Sequence, residues 1–220
     1  FEDFGPANAR RILQANRDKY RIFNDDMQGT GAIVIAAVIS GMKVTGQNFA
    51  DQRLVVYGAG TAGTGMADQI RAGMVRDGLS PDEARSRIWL IDRAGLVTDD
   101  MEGLPDYQRA YARPAGEAAD WTREHGRIGL LETVRRVHPT ILIGTSTDHG
   151  AFTRDVVEAM SAGVERPIIL PLSNPTERIE AMPTDVVAWS GGKALVATGI
   201  PVEPFDYRGT RFTIGQGNNA

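Results

Sequence analysis

The sequence predicts a doubly wound α/β domain, with a mostly parallel sheet covered by helices on both faces. A chain of 220 residues with 42% hydrophobic content can bury one substantial core. Short apolar segments alternate with segments of helical character along most of its length. These apolar segments lack the in-and-out alternation of half-exposed strands, which is typical of a parallel sheet covered on both faces.

Five strands are predicted from continuous apolar runs, at residues 53–57, 87–92, 140–144, 167–171 and 194–198. Helices are predicted at residues 8–20, 30–42, 62–75, 129–137, 153–160 and 183–189. The helix at 30–42 is apolar on nearly every side, which suggests burial against the sheet. The charged segment 99–120 is predicted to be a surface excursion. Residues 1–50 are interpreted as lead-in helices and residues 51–220 as the sheet-containing core.

Composition excludes several classes of function. The net charge is −4 at pH 7 and the 24 basic residues are scattered, which argues against a nucleic-acid partner. The absence of cysteine excludes disulfides and thiolate metal sites and suits a reducing compartment, so we expect a cytoplasmic protein. The longest apolar run, residues 32–39, is shorter than the roughly 20 residues of a membrane span, and none is expected. The chain starts without methionine and ends in a polar loop, so we expect it to be part of a longer protein.

A glycine-rich turn connects the first predicted strand to the next helix, and it reads Gly58-Ala59-Gly60-Thr61-Ala62-Gly63. In a βαβ nucleotide site, the first glycine permits the tight turn and the second lets backbone approach the pyrophosphate. The third lets helix and strand pack closely. Unpaired N–H groups and the helix dipole then favour the phosphates. With 25 glycines a chance match could occur, but the strand, turn and helix context indicates a dinucleotide site of the Rossmann type.

The residues that end the second predicted strand bear on the choice of cofactor. Asp92 would accept hydrogen bonds from the adenosine ribose hydroxyls, although it lies beyond the usual interval of about 20 residues. An extra turn and short helix between Asp77 and Ser86 would account for the longer interval. Arg93 could pair with the 2′-phosphate of NADP. Because Asp92 would repel that phosphate, the sequence favours NAD.

Two pairs of adjacent acids lie near the start of the chain, Glu2-Asp3 beside Phe1 and Phe4, and Asp25-Asp26 after Phe23 on a predicted loop. Carboxylates are the ligands that Mg²⁺ and Mn²⁺ select. Adjacent acids are more often solvated surface groups, as is expected for Asp99-Asp100. An acid flanked by apolar anchors is more often partly buried, where it needs a cation, so the first two pairs are candidate metal ligands.

Five segments together resemble the NAD-binding domain of malic enzymes. They are Phe1-Glu2-Asp3-Phe4, the block FNDDMQGT at 23–30, the glycine turn, LSNPT at 172–176 and GQGNN at 215–219. They correspond in order and spacing across the whole chain. The resemblance implies that Glu2, Asp3 and Asp26 ligate Mg²⁺ or Mn²⁺ together with L-malate, with Asp25 beside the ligands. It also implies that Asn174 and Asn218 hydrogen-bond the substrate and that Asn174 lies near the nicotinamide; on the residues alone, both would be turn residues.

The family reaction is the oxidative decarboxylation of L-malate to pyruvate and CO₂, with reduction of NAD or NADP. In the family the base and acid are a lysine and a tyrosine upstream of the first block, and Lys19, Lys43 and Lys193 match no catalytic motif. We therefore expect the chain to bind NAD without turning malate over. Members that prefer NADP often have a lysine after the second strand, where this chain aligns Gln108. The full-length protein is expected to be a homo-oligomer.

Three alternatives stay open at this stage. A malolactic enzyme, which converts malate to lactate, shares the fold and most motifs. The Rossmann half of another two-domain dehydrogenase would share the glycine turn but needs no divalent metal. A third alternative is a regulatory NAD-binding module without catalysis. The loop at 144–150, which closes a predicted strand, is expected to border the cofactor. The three histidines, His125, His138 and His149, share no ligand spacing.

Overall fold

The computed structural model describes residues 1, 4 and 6–217, without the side chains of residues 6, 7 and 26. The strands are β1 (Leu54–Tyr57), β2 (Ile88–Asp92), β3 (Gly95–Leu96), β4 (Ile141–Gly144), β5 (Ile168–Pro171), β6 (Leu195–Thr198), β7 (Phe205–Tyr207), β8 (Thr210–Phe212) and β9 (Gly215–Gln216). Seven of them form one sheet in the order β3-β2-β1-β4-β5-β6-β9, and β7 pairs with β8. All neighbours in the large sheet are parallel except β2 and β3.

The helices are α1 (Pro6–Asn16), α2 (Thr30–Thr45), α3 (Thr61–Arg76), α4 (Pro81–Ser86), α5 (Asp106–Arg109), α6 (Leu130–Val137), α7 (Arg154–Gly163) and α8 (Pro183–Trp189). Short 3₁₀ turns lie at Phe49–Asp51, Ala115–Ala118 and Thr176–Arg178. The predicted strand-and-helix alternation is confirmed, and each of the five predicted strands begins one residue later than expected.

The sheet separates two hydrophobic cores, because alternate strand residues point to opposite faces. Leu54 and Val56 of β1 pack in a cluster with residues of α2 and α3, whereas Val55 packs with residues of α6, α7 and α8. All three are fully buried. The doubly wound α/β class is therefore confirmed, and it explains why the strands are apolar along their whole length.

The segment after β3 is more than the predicted surface excursion. Its α5 and the chain that follows fold back onto α3, so that Tyr111 is 2% exposed and Gln108 6% exposed. The Tyr111 hydroxyl donates to Asp68 Oδ1 of α3 at 2.6 Å. The prediction was wrong here because two isolated anchors in a charged segment produce no periodic pattern.

Two expectations about the start of the chain also need correction. Asp25 and Asp26 do not lie on a loop, since Asp25–Gly29 forms a π-helical turn that runs directly into α2. In α2 itself, Val34 and Val38 pack in the core, whereas Val44 is 57% exposed. The helix thus buries one stripe of residues along its length, and not nearly every side as the sequence suggested.

Within the described residues, one helical stretch, Met27–Thr45, has the length and apolar composition that a membrane span requires. It is longer than the apolar run of residues 32–39 and has a mean hydropathy of 1.4. Core helices of soluble proteins can have the same length and composition. Val34, Val38 and Met42 of this stretch belong to the hydrophobic core, which is the role the packing assigns to it.

The order of the strands fixes the location of a ligand cleft. β1 lies between β2 and β4, so the connection that leaves β1 for α3 and the loop that leaves β4 run to opposite faces of the sheet. In open α/β sheets, ligands bind beyond the carboxyl ends of the strands at such a switch point. The residues after Tyr57, Asp92 and Gly144 are therefore placed around one opening.

Candidate functional site

The glycine turn brings three backbone segments into close contact. Gly58 has a φ of +104°, and a Cβ there would lie 2.5 Å from backbone atoms of Thr145 and Ser146, in the loop after β4. A Cβ on Gly63 would lie 2.3 Å from the Gly58 carbonyl oxygen. Both positions therefore exclude a side chain for reasons internal to the fold.

Gly60 differs from its two neighbours in the motif. It is exposed, its φ is −73°, and among the described residues no atom lies within 4 Å of the position of its Cβ. It caps α3 without a side-chain hydrogen bond, so no side chain of the cap occupies the N–H groups of the first helical turn. The free space and these donors suit a phosphate group.

Asp92 is tied to the glycine turn through Gln108. Gln108 Nε2 donates to Asp92 Oδ2 at 2.5 Å and to the Ala59 carbonyl oxygen at 2.8 Å. The other carboxylate oxygen of Asp92 accepts from the Arg93 backbone N–H at 2.9 Å. The acid at the end of β2 is thus held in a fixed orientation beside the turn.

A cleft of about 650 Å³ opens at this edge of the sheet, which is within the range of small-molecule sites. One wall contains Gly58, Asp92 and Arg93, and another the β4 loop. The β4 loop contributes Ser146, Thr147 and Asp148, and the lining also includes Glu124, His125 and Arg127. Part of the 144–150 loop, which is expected to border the cofactor, thus lines this cleft.

His125 and Arg127 were not singled out from the sequence as site residues, yet they line the cleft. Arg127 Nη1 donates to the Arg93 carbonyl at 2.8 Å, and His125 adopts a positive φ of 50° in the turn before it. The available signal was the pair of turn residues His125-Gly126 before an apolar segment. That signal places a loop but gives no indication that the loop folds over β2.

Tyr57, at the end of β1, also lines the cleft. Its hydroxyl donates to Asp148 Oδ2 at 2.7 Å, which connects β1 to the β4 loop. Burial raises the pKa of the Tyr57 phenol, and the hydrogen bond to Asp148 and the negative charge of that residue raise it further. Tyr57 therefore stays protonated as a hydrogen-bond donor.

The structure places the predicted site residues in two groups. The glycine turn, Asp92 and Arg93 come together at the cleft. Asn174 follows β5 and is exposed, outside the set that lines this cleft. The remaining predictions, Glu2, Asp3, Asn218 and the side chain of Asp26, lie outside the described residues.

Hydrogen bonds join Phe1 to the residues that begin the π-helical turn. The buried Asn24 accepts from Met27 N at 2.8 Å and so caps the π-helical turn, while its Nδ2 donates to the Phe1 carbonyl at 3.1 Å. The Asp25 N–H donates to the same carbonyl at 3.1 Å. Within the described residues, no cluster of three or more His, Asp or Glu residues is close enough to hold a metal ion.

Comparison with known proteins identifies the family. The protein-family model described as "Malic enzyme, NAD binding domain" matches residues 27–220 of the sequence. The chain belongs to the malic enzyme family. It corresponds to the NAD-binding domain of these oxidoreductases, and the glycine turn, Asp92 and the cleft are the features of the fold expected of such a domain.

Curated relatives match this chain over its whole length. It is 53% identical over 222 residues to NAD-dependent malic enzyme 3 of Bacillus subtilis, matching 100% of this chain and 39% of the relative. It is 47% identical over 220 residues to the malolactic enzyme of Leuconostoc mesenteroides, matching 100% of this chain and 40% of the relative. The chain thus spans about 40% of the length of these relatives.

Solved structures of malic enzymes have the same fold. The malic enzyme of Pyrococcus horikoshii matches with a TM-score of 0.70 at 25% identity, over 99% of this chain and 45% of that one. The malic enzyme of Entamoeba histolytica matches with a TM-score of 0.71 at 24% identity, over 99% and 40% of the two chains. The sheet order and the flanking helices are therefore a family architecture.

The different surroundings of Gly60 and Gly63 generate a matched pair of stability predictions. Gly63→Ala should lower the free energy of unfolding by about 1–3 kcal/mol, because the new methyl group meets the Gly58 carbonyl. Gly60→Ala should change it by less than about 1 kcal/mol, since an alanine fits that conformation and loses only part of the capping preference. Urea denaturation measures both; equal losses in the two variants would contradict the assignment.

The raised pKa of Tyr57 predicts a dependence of stability on alkaline pH. Because the folded-state pKa lies above the unfolded value, the contribution of this phenol is fully present below about pH 10 and is lost as pH rises through the folded pKa. Tyr57→Phe should therefore lose stability less steeply than the parent chain above about pH 10. Urea unfolding over this pH range tests it, with the exposed Tyr20→Phe as control. Identical slopes for parent and Tyr57→Phe would refute the prediction.

Proposed function

We propose that this domain binds NAD in the cleft beside the glycine turn, as part of a longer protein that oxidises and decarboxylates L-malate to pyruvate and CO₂. The observation that carries the cofactor assignment is the orientation of Asp92 by Gln108 on the turn itself. When bound, NAD supplies the hydride acceptor. The residues of this chain bind and orient it.

Asp92 supports NAD over NADP. In dinucleotide-binding folds, the acid at the end of the second strand hydrogen-bonds the adenosine ribose. The bonds from Gln108 and the Arg93 N–H leave lone pairs on both Asp92 oxygens for ribose hydroxyls. A 2′-phosphate would meet this negative charge. Gln108 is neutral and does not offset this charge. Arg93, in contrast, could pair with a 2′-phosphate and would favour NADP.

The hydrogen bonds at Phe1 support a divalent-cation site. Phe1 directly precedes Glu2, and its carbonyl is bonded to Asn24 and Asp25, which directly precede Asp26. These bonds attach the residue before Glu2 to the residues before Asp26, and carboxylates are suited by chemistry to a hard cation. We propose that Glu2, Asp3 and Asp26 hold Mg²⁺ or Mn²⁺, with Asp25 beside them. Such an ion would polarise the substrate oxygens and stabilise the enolate formed on loss of CO₂.

Asn174 and Asn218 would orient L-malate between the metal site and the nicotinamide. Asn174 follows Ser173, a buried residue fixed at the carboxyl end of β5. The base that removes the hydroxyl proton and the acid that protonates the enolate would be a lysine and a tyrosine from outside this chain. The domain alone would therefore bind ligands without catalysis.

A malolactic reaction is the second candidate. It is favoured by the 47% identity to the malolactic enzyme of Leuconostoc mesenteroides over the whole chain. In that reaction malate is decarboxylated to lactate without net production of NADH. Product analysis with the full-length protein, pyruvate and NADH against lactate, separates the two.

Calorimetric titration tests the cofactor and metal assignments together. The chain should bind NAD more tightly than NADP, and Mn²⁺ should bind to the parent chain but not to Asp26→Ala, because that variant lacks a proposed ligand. Asp82→Ala, which removes a highly exposed acid, should leave Mn²⁺ binding unchanged. No NADH should form from malate with the chain alone. Mn²⁺ binding that survives in Asp26→Ala would exclude this metal site, and failure to bind NAD would exclude the cofactor assignment.

Asp92→Asn should shift cofactor preference toward NADP. The amide keeps the size of the side chain but removes the charge that repels the 2′-phosphate, so we expect the ratio of NADP to NAD affinity to rise about tenfold. The affinity for each cofactor is measured by the same titration. Asp99→Asn, which alters an exposed acid away from the cleft, is the control. An unchanged ratio would remove Asp92 from the adenosine site.

A further inference from the structure

Glu180 is a fully buried carboxylate that none of the roles above uses. It lies between the 3₁₀ turn Thr176–Arg178 and α8, with 0% of its surface exposed. Burying an ionised carboxylate is costly unless hydrogen bonds replace its hydration. The structure supplies those hydrogen bonds from two different loops.

Four donors from two serines surround the Glu180 carboxylate. Oε1 accepts from Ser146 N at 2.8 Å, from Ser146 Oγ at 2.8 Å and from Ser173 Oγ at 2.6 Å. Oε2 accepts from Ser173 N at 3.2 Å. Ser146 belongs to the loop after β4 and Ser173 to the loop after β5. One side chain therefore bonds both loops through backbone and hydroxyl groups alike.

The direction of these hydrogen bonds makes Glu180 the acceptor in all four. Ser173 Oγ accepts from Thr147 N at 2.9 Å, and Ser146 Oγ accepts from Asp148 N at 3.1 Å. Each hydroxyl thus accepts a hydrogen bond from a backbone N–H and donates its own proton to Glu180. An ionised carboxylate is acceptor-only, so it can satisfy all four donors.

The end of β4 is shaped to accommodate this carboxylate. A Cβ on Gly144 would lie 2.6 Å from Glu180 Cδ, so a glycine is needed at the last residue of the strand. The backbone adds a further connection, since Phe152 N donates to the Glu180 carbonyl at 2.9 Å and Gly150 N to the Ile179 carbonyl at 3.0 Å. The whole 144–152 loop is therefore docked on the segment that contains Glu180.

We propose that Glu180 is a positioning residue for the dinucleotide site: it holds the β4 loop against the β5 loop, so that the half of the cofactor remote from Asp92 meets preformed loops. This inference rests on the proposed NAD binding. Ser146, Thr147 and Asp148 line the cleft, and Ser173 directly precedes Asn174. A ligand that spans the carboxyl ends of β1, β2 and β4 contacts Asp92 at one end and this pair of loops toward the other. Fixing the loops in advance removes an ordering cost from binding.

The variant Glu180→Gln tests the inference without changing the size of the side chain. An amide has one acceptor oxygen and one NH₂ donor, so at least one of the four bonds becomes a contact between two donors. Calorimetric titration with NAD and with AMP compares a whole cofactor with its adenosine half. We expect the dissociation constant for NAD to rise about tenfold and that for AMP to change less than about threefold. Glu177→Gln, an exposed acid in the same segment, should leave both unchanged.

Each other outcome counts against the inference. An NAD affinity equal to that of the parent chain would show that the hydrogen bonds of Glu180 to the two loops are not needed for cofactor binding. Equal losses of NAD and AMP affinity would show a general structural role. If Glu180→Gln does not unfold cooperatively, Ser173→Ala replaces it. This variant removes the hydroxyl bond to Glu180 and the bond that the hydroxyl accepts from Thr147 N, and it should also weaken NAD binding selectively. Unaltered NAD binding in this variant would overturn the inference.

A measurement without cofactor separates this inference from the proposed function. Hydrogen exchange of the amides of Ser146, Thr147 and Ser173 should be faster in Glu180→Gln than in the parent chain. If the parent chain fails to bind NAD, the proposed function fails, and unchanged exchange rates would overturn the positioning role as well. Faster exchange together with normal NAD affinity would show that Glu180 holds the loops without contributing to cofactor binding. That result would likewise overturn the inference.

Discussion

The close approach of backbone at Gly58 determines the geometry of the rest of the site. The Gly58 N–H donates to the Ile91 carbonyl of β2 at 2.9 Å, and its own carbonyl accepts from Thr145 Oγ1 of the β4 loop at 2.8 Å. The turn is therefore fixed to both neighbouring strands. A side chain at Gly58 or Gly63 would force these segments apart. The position of the first turn of α3 relative to β1 follows from this contact.

The electrostatics of the cleft follow from the same arrangement. The N-terminus of α3, which has no side-chain cap, suits an anion, while Asp92 and Asp148 line the neighbouring cleft together with Gly58. These acids are held by neutral donors, Gln108 for Asp92 and Tyr57 for Asp148. On the proposed function, these neutral donors do not offset the acids, so the site would accept a pyrophosphate and disfavour a further phosphate on the ribose.

Sequence predicted the strands, the glycine turn and Asp92 because each depends on local pattern. A continuous apolar run marks a doubly covered strand wherever it occurs, and the glycine spacing is confined to six residues. The π-helical turn and the return of Tyr111 to α3 were missed because they depend on tertiary packing. Glu180 was missed for the same reason: Ser146 lies 34 residues before it, and a single acid in a polar loop resembles any surface carboxylate. The alignment singled out Gln108 without indicating that it contacts Asp92.

On the proposed function, the distance between malate and the nicotinamide is set by the packing of α2 on α3. The π-helical turn that contains Asp25 and Asp26 is continuous with α2, and the first turn of α3 faces the phosphates. The two helices are in close contact, because a Cβ on Gly31 of α2 would lie 2.2 Å from Gln69 Nε2 of α3. Movement of the metal-binding segment relative to the cofactor would have to disturb this buried contact. The small residues of α2 thus have a function beyond filling the core, since they keep the acids of one helix in register with the anion-binding end of the other.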